Sequence, residues 1–166
     1  MRKKADRAEE LFRRGYNCAQ SVLGAFAPEI GMTEEQLMRL ASPFGAGIGA
    51  LREVCGAVSG MALAAGLMSG YCQPADASGK QALYQQLRLM AAEFEARQSS
   101  LICRDLLHLA KGELLPEPAV RTEDYYQQRP CLRAVRDAAE IAESFLLSGG
   151  PPPDQSLFCA PISPKS

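Results

Sequence analysis

The sequence predicts an all-α fold, a single compact helical domain of about six or seven helices around a buried central helix at about residues 54–68. Three observations predict it. From Val54 to Met68 only Ser59 is polar, and the run is alanine-rich with no period-2 alternation, which favours a helix over a strand. A helix apolar all round is buried or membrane-spanning. This one is shorter than the roughly 20 residues a span needs, and Arg52-Glu53 and Ser69-Gly70 bound it. Elsewhere apolar residues recur at helical spacing between caps and breakers, and no stretch reads as a strand. With 166 residues the chain buries a substantial core without staples.

The elements follow in order. Lys3 to Arg14 forms the first helix, burying Ala8, Leu11 and Phe12, with Gly15 as its C-terminal cap. Asn17 is a good N-cap for a second helix from Cys18 to Phe26, its inner face Ala19, Val22, Leu23 and Phe26. One longer helix through Gly15 is the alternative, and the sequence leaves both open; Pro28 stops either. Thr33 and Gln36 make a capping box for a third helix that buries Leu37, Leu40 and Ala41 before Pro43. Gly45, Gly47 and Gly49 then lead into the central helix. Along that helix Gly56, Gly60 and Ala64 form a stripe almost without side chains, open to close approach by another backbone or a cofactor.

Tyr71 to Gly79 is a loop, and Lys80 to Arg97 a helix with Leu83, Leu87, Met90 and Phe94 on one stripe. Ser99 or Ser100 caps a short helix containing Cys103, Leu106 and Leu109. Gly112 to Arg129 reads as irregular. Pro130 suits the first position of a last helix that buries Val135, Ala138, Ala142 and Phe145. The helical domain covers residues 1–148, and the proline-rich tail 149–166 is expected to be disordered.

Net charge is −1 and the pI about 5.9, which disfavours nucleic acid and anionic membranes as partners. The N-terminal stretch has no apolar signal region, so a cytoplasmic location is expected. There the 6 cysteines are expected to be free, metal-bound or catalytic rather than structural disulfides. Cys55, Cys103 and Cys131 each fall in the first turn of a predicted helix, and so does Cys18 if the break at Gly15 is real. Free N–H groups and the positive end of the helix dipole favour thiolate over thiol, biasing such cysteines towards low pKa, nucleophilicity and metal ligation.

The runs GYNCAQSVL at Gly15–Leu23, EVCGAVSG at Glu53–Gly60 after the glycine loop, CRDLL at Cys103–Leu107 and CLRAVRDAAEI at Cys131–Ile141 together resemble the CGCAxxGCC-motif (C_GCAxxG_C_C) family, described as redox-active. The pattern is four spaced cysteines with a CGAxxG core, here Cys55-Gly56-Ala57-Val58-Ser59-Gly60. The resemblance implies that Cys18, Cys55, Cys103 and Cys131 are the functional set, with a redox or electron-transfer role. A related module is similar to part of the split-Soret cytochromes, which implies an iron–sulfur cluster as the cofactor. The preferred form is therefore a cluster on the four cysteines, with Gly45, Gly47, Gly49, Gly56 and Gly60 as the backbone beside it. The alternatives are a dithiol/disulfide couple on two of the same cysteines and a non-catalytic zinc module on all four. Against the cluster, the cysteines are dispersed, whereas ferredoxins cluster their ligands locally.

Cys72 and Cys159 lie outside the pattern, and His108 reads as a helix-end surface residue. Gly45-x-Gly47-x-Gly49 follows no strand and lacks the Lys-Ser/Thr of a P-loop, which argues against nucleotide binding. Arg52 and Arg104, each beside a cysteine, are either charge partners for the sulfurs or solvated, and Tyr125 and Tyr126 read as packed side chains. The sequence leaves open the redox partner, enzymatic activity and homo-oligomerisation.

Overall fold

The α2–α5 pair at the centre of the molecule sets the positions of everything else. In the computed structural model, which describes residues 3–113, 115 and 120–148, there are nine α-helices and one 3-10 turn among the described residues, and no strand. They are α1 (Lys4–Arg13), α2 (Cys18–Gly24), α3 (Ala27–Ile30), α4 (Glu34–Ala41), the 3-10 turn Ser42–Phe44, α5 (Gly56–Ser69), α6 (Ala77–Gln98), α7 (Cys103–Leu106), α8 (Glu123–Gln128) and α9 (Cys131–Leu146). The all-α domain around a central helix is as the sequence predicts. The tail from 149, Pro116, Pro118 and Cys159 lie outside the described residues.

Gly15 breaks the first two helices apart. It sits at φ +102°, and the Gly15 and Tyr16 N–H groups donate to the Phe12 and Leu11 carbonyls, closing α1 in a Schellman motif. Asn17 and Gln20 then cap α2 reciprocally, which rules out the single longer helix. Pro28, expected to be a stop, instead occupies the first turn of the short α3, where its missing N–H costs nothing. Thr33 and Gln36 form the expected capping box on α4. The buried face of α4 is Leu37, Met38 and Ala41, and this turns Leu40 outward to 38% exposure, against expectation.

Cys55 is the N-cap of α5 rather than part of its first turn, and Val54 makes an isolated antiparallel bridge with Ile102. α5 packs on α2, α9, α6 and α3, with Gly56, Ala57, Gly60, Met61, Ala64 and Ala65 buried. Its outer side, Val58, Ala62 and Leu63, is only partly covered, although the sequence gives it no polar face. The bare stripe faces α2. A Cβ at Gly60 would lie 2.7 Å from the Ala19 carbonyl oxygen, and one at Gly56 would lie 2.9 Å from the Phe44 carbonyl oxygen and 3.1 Å from Cys18 Cβ. Gly56 meets Cys18 and Gly60 meets Ala19 and Val22, so α2 and α5 run parallel with their first turns side by side.

α6 begins one turn earlier than expected because Asp76 caps it, accepting from the Gly79 N–H. Met90 and Phe94 are buried, while Leu83 and Leu87 are half-buried. α7 is preceded by Ile102, whose N–H donates to Ser100 Oγ. The stretch expected to be irregular contains α8, capped by Thr122 with Glu123 and Asp124 in its first turn. α9 lies along α1 and across α2 and α5, burying Val135, Ala138 and Ala142, with Phe145 half-buried.

Two glycines of α5 should respond in opposite directions. Gly60→Leu forces a side chain into the α2 backbone and should destabilise by about 1–3 kcal/mol or more. Gly66 has nothing within 4 Å of a built Cβ, so Gly66→Ala should stabilise by up to about 1 kcal/mol. Thermal melts of the two variants against the unmodified chain check both signs.

Candidate functional site

The four helix starts that carry cysteines open onto one cavity of about 400 Å³. Cys18 is the first residue of α2, Cys55 caps α5, Cys103 begins α7 and Cys131 begins α9, and all four line the cavity. Side-by-side packing of α2 and α5 places Cys18 next to Cys55, and α9 lying across both adds Cys131. Cys103 comes by a backbone clamp. The Cys55 N–H donates to the Leu101 carbonyl at 2.8 Å, the Cys103 N–H to the Glu53 carbonyl at 2.6 Å and the Arg104 N–H to the Arg52 carbonyl at 3.1 Å.

The loop before the clamp has an unusual backbone. Ala46, Gly47, Ile48, Gly49 and Ala50 run consecutively at φ between 54° and 71°, and Arg52 follows at 61°. The loop is closed on itself by bonds from the Gly49 N–H to Pro43 O, Ala50 N–H to Gly45 O, Arg52 N–H to Ala46 O and Glu53 N–H to Gly47 O. A Cβ on Gly47 would stand 2.7 Å from Cys103 Cβ, and one on Gly45 would stand 2.6 Å from Asn17 Nδ2. Asn17 itself lines the cavity and donates to the Ser42 carbonyl.

Of the five glycines expected beside the site, Gly45 and Gly56 line the cavity and Gly47 abuts Cys103. Two do not join them. Gly49 faces open space, and its N–H is spent on Pro43 rather than aimed at a sulfur. Gly60 serves helix packing one turn deeper.

The thiols are not equivalent. Cys18 donates a hydrogen bond to the Cys131 sulfur, and this, with the Arg129, Arg52 and Arg121 charges, holds the Cys131 thiol below the usual thiol range despite burial. The same bond, with burial, keeps Cys18 protonated well above that range. Burial pushes Cys55 up to about 12 against the downward pull of the Ala57 and Val58 N–H groups. A general bias of helix-start cysteines towards thiolate is therefore not what the fold delivers; among Cys18, Cys55 and Cys131 it reaches Cys131. That residue and Cys18 are also the more accessible ones, while Cys55 and Cys103 are 5% and 7% exposed.

Three guanidiniums surround the sulfurs. Arg52, 4% exposed, lines the cavity, whereas Arg104 pairs with Glu53 at 2.8 Å. Arg121 and Arg129 also line it, and no aspartate or glutamate among the described residues does. Arg121 is fixed by donating from Nη1 to the Phe12 and Tyr16 carbonyls, both at 2.8 Å, and by lying over the Phe12 ring. Arg129 lies over the Tyr125 ring at 4.7 Å. Tyr125 is at the site rather than simply packed; burial and the nearby Cys131 and Cys18 push its hydroxyl up to about 12. Arg121, Tyr125 and Arg129 were missed because the segment read as irregular. Their spacing of four, on either side of a Thr122 cap, was the available signal.

Cys72 follows α5 at the end opposite Cys55 and does not line the cavity. His108 is exposed at the end of α7. Four thiolates are the usual ligand count for an iron–sulfur cluster, and the guanidiniums suit its charge. In the arrangement described, however, no group of three or more Cys, His, Asp or Glu side chains among the described residues is placed to hold a metal ion. No helix among them is long and apolar enough to cross a membrane.

A family model described as "Putative redox-active protein (C_GCAxxG_C_C)" matches residues 16–145. The chain belongs to that family. No curated protein and no solved structure matches it.

Neutral alkylation should single out Cys131. Its rate with iodoacetamide, followed by mass spectrometry against pH, should reach its midpoint below the ordinary thiol value of about 8.5, because the thiolate already exists there. Cys18→Ala removes the donor and Arg129→Gln removes a cation, so each should move that midpoint upward.

Proposed function

We propose that this family member carries out two-electron redox chemistry with Cys18 and Cys131 as a dithiol/disulfide couple at the four-thiol cavity. The observation that supports this reading is that both cysteines line one cavity, where their mutual interaction shifts them in opposite directions, Cys131 down and Cys18 up. Such a pair has a nucleophile, Cys131, and a proton-bearing partner, Cys18, at the same cavity. Joining the two sulfurs releases two electrons and the remaining thiol proton to a two-electron acceptor, and the reverse reaction delivers them. The three arginines favour the attacking thiolate. The buried Cys55 and Cys103 form the wall against which the pair sits.

A second reading is an iron–sulfur cluster held by Cys18, Cys55, Cys103 and Cys131. It is favoured by one observation, that all four thiols line a single cavity. When bound, such a cluster would supply one-electron transfer. The chain's part would be to offset its charge through Arg52, Arg121 and Arg129 and to keep water out with Leu106 and Tyr125. Zinc on the same thiolates is the colourless counterpart.

Anaerobic purification followed by mild oxidation separates the three. The couple predicts a colourless, iron-free and zinc-free chain that loses two hydrogens on oxidation and yields one reducible Cys18–Cys131 linkage. Cys18→Ser or Cys131→Ser should abolish that linkage, whereas Cys72→Ser should not. A brown protein bleached by Ser at each of the four positions would overturn the couple in favour of the cluster. Stoichiometric zinc would overturn it in favour of the metal module.

A further inference from the structure

We infer that the outer face of α6 is the contact surface of a symmetric dimer, and that its partner is α6 of a second copy of this chain, packed antiparallel. The inference does not depend on the redox reading above. α6 is 22 residues long and packs on α9 and α5 through one side, where Met90 and Phe94 are buried and Leu83 and Leu87 half-buried. The opposite side of a surface helix is ordinarily charged. Here it carries Ala82, Gln85, Leu89, Ala92 and Ala96, all exposed and none of them charged. Leu89, in the middle of the row, is 53% exposed. The spacing alternates between three and four residues, which is the seam period of two helices wound together.

The face is complementary to itself, which is what selects a second copy as the occupant. A two-fold axis midway between Leu89 and Ala92 sets Leu89 of one copy against Ala92 of the other, and Gln85 against Ala96. Each larger side chain then meets a methyl group, and the helices keep an even separation. A parallel pair would stack Leu89 on Leu89 beside Ala92 on Ala92, which splays one layer and leaves the next loose. The charges agree with the antiparallel register. Arg88 and Glu95 both stand exposed on one edge of the row. They are about 10.5 Å apart along the axis, too far to pair within one helix. With the copies antiparallel, Arg88 of each faces Glu95 of the other, so two opposite-charge contacts flank the seam.

Sedimentation equilibrium of the reduced full-length chain tests this. The expected result is a dimer mass that dissociates on dilution and more readily at high salt. Leu89→Arg places a charge in the seam and should raise the dissociation constant by about tenfold or more. Arg88→Glu and Glu95→Arg each set like charges opposite one another twice, and each alone should weaken the dimer by about tenfold. Mixing these two variants should restore the dimer, because each then supplies the charge the other lacks, and the double variant should restore it too. All three single changes are at exposed positions, and matching circular dichroism spectra separate dissociation from misfolding. A monomer mass at every concentration up to about 1 mM overturns the inference. A dimer that ignores Leu89→Arg lies on another face and also overturns it. A dimer weakened by Leu89→Arg and Arg88→Glu but not by Glu95→Arg overturns the antiparallel register.

Discussion

The contact on which the rest of the molecule depends is the approach of two backbones, α5 at Gly56 and Gly60 against α2 at Cys18 and Ala19. A single methyl group at Gly60 would reach within 2.7 Å of the Ala19 oxygen, closer than real side-chain contacts come. Ordinary helix pairs stand 8–10 Å apart, and bare glycine surfaces permit an approach at the short end of such packing. Because the two helices run parallel there, their first turns meet, and so do the cysteines at those turns. α9 then lies across both, and the clamp between residues 52–55 and 101–104 adds the last thiol. Convergence of dispersed cysteines is thus a product of helix packing. A local ligand loop would need none of it.

The loop from Gly45 to Arg52 shows what the fold gives up to complete that arrangement. Left-handed backbone costs a non-glycine residue roughly 1–2 kcal/mol, and a β-branched one such as Ile48 is a rare outlier. Ala46, Ala50 and Arg52 share the conformation. The return is positional: the loop turns Arg52 inward and passes Gly47 directly against Cys103. Strain of this kind persists where surrounding bonds over-determine it, and five backbone bonds among residues 43–53 do so here.

Much of this was legible in the chain. Capping chemistry is local, so Gly15, Asn17 and Thr33 marked helix ends, and the family resemblance, with the helix-start positions, picked out the four thiols that line the cavity. Leu40 was misplaced because three neighbouring apolar positions on α4 compete for one buried face, and packing decides which one loses. Pro28 was read as a stop although the first turn of a helix tolerates it. The arginines were harder to read. Whether Arg121 and Arg129 point at solvent or at a sulfur depends on where α8 docks, and α8 docks through Arg121 on carbonyls of Phe12 and Tyr16, more than a hundred residues away. The inequality of the thiols was likewise invisible, since it depends on which groups the fold gathers around each sulfur.

The pairing of α1 with α9 has a consequence for how the protein is made. Arg136 binds Asp6 and Glu9, Tyr126 packs edge-on to Phe12, and the Lys4 N–H donates to Glu143. Among the described helices, α1 therefore has its main partner in α9, more than a hundred residues later in the chain. Until α9 emerges, the apolar faces of α1, α2 and α5 lack their cover and the cavity lacks one wall. For this one pairing, chain closure over the intervening residues must precede the contacts that reward it. A nascent chain of this design carries Cys18, Cys55 and Cys103 before Cys131 is made, so the four-thiol cavity can close only once α9 has been added.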